Sequence, residues 1–394
     1  MRTVTVVGCP GVVPGTAAEP VAAATLIAGP ERILSTVDNA AAERVVMGDV
    51  PAALDRIAGH DGPVVVLASG DPGFFGIVRA LRRRGLDVDV RPAPSSVAVA
   101  FARIGMPWDD ALVVSAHGRA LRPAVNACRA YPKVAVLTGP GTGPAELGAA
   151  LSGLPRRFVV AERLGAPGER ITETDPVGAA AATWRDPNVV LVLAEAAADA
   201  PRPWLSGAPP APDGWALPDD SFDHRDSMIT KAEVRALALA RLGPRLGDLV
   251  WDVGAGSGSV AVECARFGAA VLAVERDPAA RATIHANAGR LGVEVAVVAG
   301  EAPGCLADLP DPDAVFVGGG GIEVLGACLA RAPGRVVAAY AAVERVGPAL
   351  TALSAGGYRA QGVQVQANRL SALPGGAHRL AATNPVYLVS GVLS

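Results

Sequence analysis

Short valine-rich runs alternate with alanine-rich stretches of helical period along almost the whole chain. In the first half the apolar runs at 3–7, 64–68, 87–91, 111–115, 133–137, 157–161 and 188–194 have the length and composition of buried strands. Residues 71–85 read as a turn followed by a helix that stops at Gly85. In the second half strands are predicted at 248–252, 270–274, 293–298, 313–317 and 335–339, with helices between them. A helix over Lys231–Leu242 precedes them, with Thr230 at its N-cap and Glu233 three residues later, the pattern of a capping box. Alternation of this kind predicts a doubly wound, mostly parallel α/β sheet with ligands at the carboxyl ends of its strands. Asp252, Glu275, Glu301 and Gly318 all fall at that edge. Residues 357–367 and 385–390 read as an antiparallel strand pair.

The alternation breaks once. Residues 200–214 are dense in proline and glycine and follow neither period. The expected organisation is one domain over 1–203, a linker over 204–214 and a second domain over 215–394.

Composition narrows the function classes. A net charge of −3 gives no electrostatic case for binding nucleic acid or an anionic membrane. The chain is 51% hydrophobic, yet no uninterrupted apolar run reaches membrane-spanning length. A strand already begins at Thr3, so no signal peptide is expected. The five cysteines are scattered without metal-ligand spacing, which fits reduced thiols in a cytoplasm and no metal site.

Two glycine-rich segments carry the candidate chemistry. In the second half an apolar strand runs into Asp252-Val253-Gly254-Ala255-Gly256-Ser257-Gly258, where a helix begins, and the next strand ends on Glu275, 21 residues after Gly254. Glycines let backbone approach a ligand, a helix N-terminus faces an anionic group, and an acid at the second strand's end accepts ribose hydroxyls. The spacing is G-x-G-x-G and not the G-x-G-x-x-G of dinucleotide sites, which favours S-adenosylmethionine over NAD. In the first half a buried strand meets Ser69-Gly70-Asp71-Pro72-Gly73. Alone this is a turn signal, and turn and site stay equally open.

The neighbours of each segment point further. The stretch His224–Arg235, with its unusual Met-Ile-Thr-Lys-x-Glu-Val-Arg, stands with Asp252–Gly258, Glu275, Ala299–Gly304 and Phe316–Gly321. On these residues the second half resembles the cobalamin-pathway methyltransferases that also decarboxylate. In the first half the residues are Ser69–Gly76, Ala93–Gly105, Val114–Arg119 and Leu137–Leu147. On them it resembles the two-lobed tetrapyrrole methylases. One departure stands out: Gly8–Gly15 lacks the acid of that family's G-x-G-P-G-D loop.

The resemblance implies an N-terminal two-lobed tetrapyrrole-methylase fold followed by a C-terminal Rossmann-like class I methyltransferase fold. It implies two S-adenosylmethionine sites. Ser69, Gly70, Asp71, Ser95, Ser96 and Thr138 would form the first. Thr230, Asp252, Gly254, Ala255, Gly256, Ser257, Gly258, Glu275, Glu301 and Ala302 would form the second. The implied substrate is a polycarboxylate tetrapyrrole, methylated at carbons 5 and 15 and decarboxylated at the carbon-12 acetate, and a homo-oligomer is expected. Arginine suits the substrate's carboxylates, which singles out Arg119 and Arg225. His117 is a candidate for a hydrogen bond or proton transfer to substrate. His224 or Asp226 would manage the proton that decarboxylation requires.

Rival readings are weaker. Asn384-Pro385-Val386-Tyr387 resembles the box of nucleic-acid methylases but sits in the last strands; Gly318–Gly321 fill the slot where that box works. An NAD-linked oxidoreductase meets the wrong glycine spacing. A non-catalytic scaffold finds support only in the irregular loop Gly8–Gly15.

Overall fold

The computed structural model describes residues 3–195, 212–225 and 229–394. Most of the expected linker, and Asp226 and Met228, lie outside the described residues. The chain forms two compact units, one of Met1–Leu121 with Pro132–Gly207, the other of Arg122–Tyr131 with Ala208–Ser394. Residues Arg122–Tyr131 thus group with the second unit, so a single cut in the Pro-rich segment does not reproduce the division.

The first unit holds two five-stranded sheets. Strands β1 (Thr3–Cys9), β2 (Leu26–Gly29), β3 (Glu43–Val46), β4 (Val64–Ser69) and β5 (Asp87–Arg91) pair in the order β3-β2-β4-β1-β5, all parallel. Strands β6 (Leu112–Ser115), β7 (Lys133–Leu137), β8 (Arg157–Glu162), β9 (Arg170–Thr174) and β10 (Asn188–Leu193) pair in the order β6-β7-β10-β8-β9; only β6 and β7 are parallel. Central β10 is buried at every position, which explains its unbroken apolar run. Three strands were not expected. β2 and β3 have four residues each, and edge strand β9 is the polar Arg-Ile-Thr-Glu-Thr.

The second unit is built on a seven-stranded sheet. Its strands are β11 (Leu249–Val253), β12 (Ala270–Glu275), β13 (Ala296–Ala299), β14 (Ala314–Val317), β15 (Arg335–Tyr340), β16 (Tyr358–Val365) and, after a hairpin of β17 (Arg369–Ala372) and β18 (His378–Ala381), β19 (Val386–Leu393). The order is β13-β12-β11-β14-β15-β19-β16, with β19 antiparallel to both β15 and β16. The expected terminal pair therefore extends the main sheet. Alternation along β11 sends Leu249, Trp251 and Val253 to one core layer and Val250 to the other. Asp252 shares the second direction, toward the helix Ser259–Arg266.

Two expectations are corrected. The strand predicted at 293–298 begins at Ala296. Val293 donates its N–H to the Ala288 carbonyl at 3.0 Å, closing the preceding helix instead of entering the ladder. The capping box at Thr230 does not form. The helix runs Ala232–Leu242 with Lys231 at its N-cap, and Asp219 accepts the Ala232 N–H at 2.9 Å. A carboxylate 13 residues upstream satisfies the helix end, while Glu233 pairs with Arg369 at 3.2 Å. Among the described residues no helix is long and apolar enough to cross a membrane.

Candidate active sites

In the first unit a cavity of about 640 Å³ gathers residues from both sheets. Ser69, Gly70, Asp71, Ser95, Ser96, His117, Arg119 and Thr138 all line it. They come from the ends of β4, β6 and β7 and from the start of the helix Ser96–Arg103. Backbone packs closely here. A side chain on Gly8 would put its Cβ 2.7 Å from the Gly70 carbonyl and from the Ala93 nitrogen. Gly70 has φ +67°, and its N–H is held by the Cys9 carbonyl at 2.9 Å.

Several of these polar groups are already engaged. Ser95 caps its helix by accepting the Ala98 N–H at 3.1 Å. Asp71 Oδ1 accepts the Gly73 N–H at 2.8 Å, an Asx turn. The Thr138 hydroxyl reaches Asn188 at 2.6 Å, and the Thr138 carbonyl lies 3.0 Å from His117 Nδ1, which fixes that ring. The Arg119 guanidinium lies 5.9 Å from the centre of the Phe75 ring. The sequence reading missed Cys9, Arg32, Arg103 and Asn188, which share the cavity wall. Arg103 is spent on Glu169, and burial pushes the Cys9 thiol up to about 11, with Arg32 opposing.

In the second unit the glycine loop turns from β11 into the helix Ser259–Arg266. Gly254, Gly256 and Gly258 all have positive φ, between +57° and +74°. A Cβ on Gly254 would lie 2.8 Å from the Gly319 nitrogen, so the two loops touch backbone to backbone. Asp252 is 1% exposed; its Oδ2 accepts the Ala261 N–H at 2.9 Å, and its Oδ1 has no hydrogen-bond partner among the described residues. Glu275 accepts the Gly256 N–H at 2.8 Å and the Asp277 N–H at 2.9 Å, so it shapes the loop from across the strand ends.

The remaining expected residues are spread around this loop. Thr230 does not cap a helix; its carbonyl accepts from Arg235. Glu301 is exposed and pairs with Arg276 at 2.6 Å, and Ala302 packs on the core. His224 is exposed, with Nδ1 2.9 Å from the Phe222 carbonyl, and Arg225 lies 3.5 Å from Asp277. Two fully buried residues were not expected at the site: Asn287 gave no signal, and Arg235 closes the Met-Ile-Thr-Lys-x-Glu-Val-Arg stretch without having been given a role. The Asn287 amide donates to the Asp223 and Ser257 carbonyls, each at 2.9 Å, and accepts the Asp223 N–H at 2.8 Å. Arg235 donates to the Thr230 and Leu217 carbonyls, faces Glu263 at 3.5 Å and Asp219 at 3.8 Å, and stacks on Phe222. Burial lowers its pKa while those acids oppose the shift. It links Leu217 and Thr230 to the helix Ser259–Arg266.

Burial raises Asp252 from its usual range to about 7; Glu275 adds to the shift and the Ala261 N–H opposes it. The folded unit therefore holds this proton more tightly than the unfolded chain. The stability that this gives is present at low pH and is lost as pH rises from about 4 to about 7, on the order of 4 kcal/mol at most. Denaturant unfolding of the ligand-free chain across that range should show Asp252→Asn lacking this decline relative to wild type. Equal slopes for the two proteins would contradict the assignment.

Two sites beside glycine loops, one between a parallel and a mixed sheet and one at the carboxyl ends of a mostly parallel sheet, define a tandem of small-molecule methyltransferase units. The Precorrin methyltransferase domain family matches residues 220–390, and the Tetrapyrrole (Corrin/Porphyrin) Methylases family matches residues 3–180. The chain is 42% identical over 278 residues to a precorrin-6Y C(5,15)-methyltransferase [decarboxylating] of Sinorhizobium sp, covering 68% of this chain and 65% of the relative. It is 36% identical over 334 residues to the protein of that name from Mycobacterium tuberculosis, covering 82% of each. A probable cobalt-precorrin-6B C(15)-methyltransferase (decarboxylating) of Pyrobaculum calidifontis is 38% identical over 184 residues, which are 44% of this chain and 94% of that one. The chain belongs to the precorrin-6Y C(5,15)-methyltransferase (decarboxylating) family, and it is a methyltransferase.

Proposed function

We propose that this chain methylates precorrin-6B at carbons 5 and 15 and removes carbon dioxide from the carbon-12 acetate, giving precorrin-8X. The observation that carries the reading is the presence of two built sites, one in each unit. S-adenosylmethionine supplies an electrophilic methyl group when bound. The second unit fits it: a glycine loop in which Gly254 and Gly258 leave no room for a side chain, an acid at the end of β12, and a buried carboxylate oxygen without a partner among the described residues. The first unit offers the cavity and its short glycine turn. Two cofactor sites per chain follow from this reading, as do a cytoplasmic location and a homo-oligomer.

The meso carbons of a reduced tetrapyrrole are enamine-like nucleophiles, so the protein's task is alignment more than base catalysis. His117, fixed through the Thr138 carbonyl, and Arg119, beside Phe75, would orient the macrocycle in the first unit. Decarboxylation breaks the bond between the acetate methylene and its carboxyl carbon. The electron pair passes into the ring, and a proton then completes a methyl group. His224, exposed and next in the chain to Asp223, which Asn287 links to the Ser257 carbonyl, is the described candidate for handling that proton. The Pyrobaculum relative's name places methylation at carbon 15 and decarboxylation together in a protein matched by under half of this chain, which supports assigning both to one unit; the motifs of residues 224–321 make that the second.

Incubation of the full chain with precorrin-6B and labelled cofactor, with products read by mass, tests the division. Glu275→Ala should weaken cofactor binding in the second unit by roughly 1–3 kcal/mol. Methylation at carbon 15 and release of carbon dioxide should fall together, and methylation at carbon 5 should continue. Loss of carbon 5 methylation alone would reverse the assignment.

A further inference from the structure

We propose that Arg32 anchors a carboxylate of the tetrapyrrole in the cavity of the first unit. The proposal rests on the reading above that this cavity takes the macrocycle. Arg32 sits on the short helix Glu31–Leu34, directly after β2, and lines the cavity. Among the described residues its guanidinium has one hydrogen-bond partner, the Ser69 hydroxyl, and no carboxylate within ion-pair distance. A guanidinium carries five N–H donors, so most of them remain open to a ligand. The rest of the wall has the same bias. Its cationic side chains are Arg32, Arg103 and Arg119, and Asp71 is its one acid. Arg103 is neutralised by Glu169, which leaves Arg32 and Arg119 as the cavity's two cations with no acid at ion-pair distance among the described residues. Partial burial lowers the Arg32 pKa, with Cys9 opposing and Arg163 adding to the shift, so an anion beside Arg32 would offset that burial. Ser69 holds the fork in place before any ligand arrives, and a planar guanidinium matches a carboxylate's two oxygens.

A second carboxylate could claim this site, the one on the amino-acid end of the cofactor. The test separates them in the full chain. Arg32→Gln should raise KM for precorrin-6B in carbon 5 methylation about tenfold to a hundredfold, the loss expected for a charge-assisted hydrogen bond. The kcat should stay within about threefold, and Arg32→Lys should recover part of the loss. The Kd of S-adenosylhomocysteine at the first site, read in a Glu275→Ala background, should stay within about twofold. That measurement also reports folding of the loop that carries Ser69. An unchanged KM in Arg32→Gln, with wild type active, would overturn the anchor and leave the proposed reaction standing. Parallel weakening of S-adenosylhomocysteine would also overturn it, since Arg32 would then serve the cofactor or act through Ser69. A wild-type chain that adds no methyl at carbon 5 would remove the anchor together with the reaction.

Discussion

Gly254→Ala should abolish cofactor binding in the second unit while leaving the first unit's methylation intact. Two costs add at this position. The backbone holds φ +74°, which strains any residue with a Cβ. The new methyl group would also stand 2.8 Å from the Gly319 nitrogen and 2.9 Å from its Cα. Neither neighbour is a side chain that can swing away. The Gly318 N–H is bonded to the Val253 carbonyl at 2.9 Å, so the second loop cannot retreat without breaking its link to β11. Binding of S-adenosylhomocysteine at that site should weaken by about a hundredfold or more, from strain plus displacement. Carbon dioxide release should stop. Gly256→Ala is the internal control. Its φ is +57°, but a Cβ there meets nothing within 4 Å, so only strain applies and the loss should be clearly smaller. Equal losses in the two variants, measured by calorimetry, would mean that the contact between the loops does not matter.

Arg235→Ala should destabilise the second unit by about 2–3 kcal/mol: Glu263 keeps Arg266 and Asp219 keeps Arg369, but each loses its ion pair with the fully buried Arg235. It also strips hydrogen bonds from the Thr230 and Leu217 carbonyls. Arg235→Met with Glu263→Gln should recover part of the loss, since both charges of that pair are removed together, although Arg266 then gives up its own pairing with Glu263. A chain of two units does not unfold in one step, so a global midpoint is a poor readout. Hydrogen exchange of the Leu249–Val253 amides reports on the second unit alone. If single and double variants exchanged equally fast, loss of packing and not charge would be the cause.

What was legible in the sequence follows from range of interaction. The glycine loop, Asp252 and Glu275 are set by one strand, one turn and the next strand, so their spacing betrays them. The cavity residues Ser69, Ser95, His117, Arg119 and Thr138 span 70 positions, and only the resemblance grouped them before the fold did. Arg32 and Asn188 gave no signal, because each reaches its place through strand order and not through neighbours in the chain. The error at Thr230 has the same origin. A local rule names the nearest hydroxyl, but Asp219 folds back over a 3-10 turn and takes the helix end first. β9 escaped notice because an exposed edge strand need not be apolar.

The three hydrogen bonds of Asn287 have a thermodynamic corollary. One rigid amide grips both backbone groups of Asp223 and also the carbonyl of Ser257, in the glycine loop. His224 and Arg225 follow immediately in the chain. A ligand that tightens the loop lowers the free energy of ordering that neighbouring segment, and a ligand on the segment returns the same amount to the loop. Linkage makes the two effects equal, so the occupants of the second unit would raise each other's affinity by one common factor, whichever arrives first.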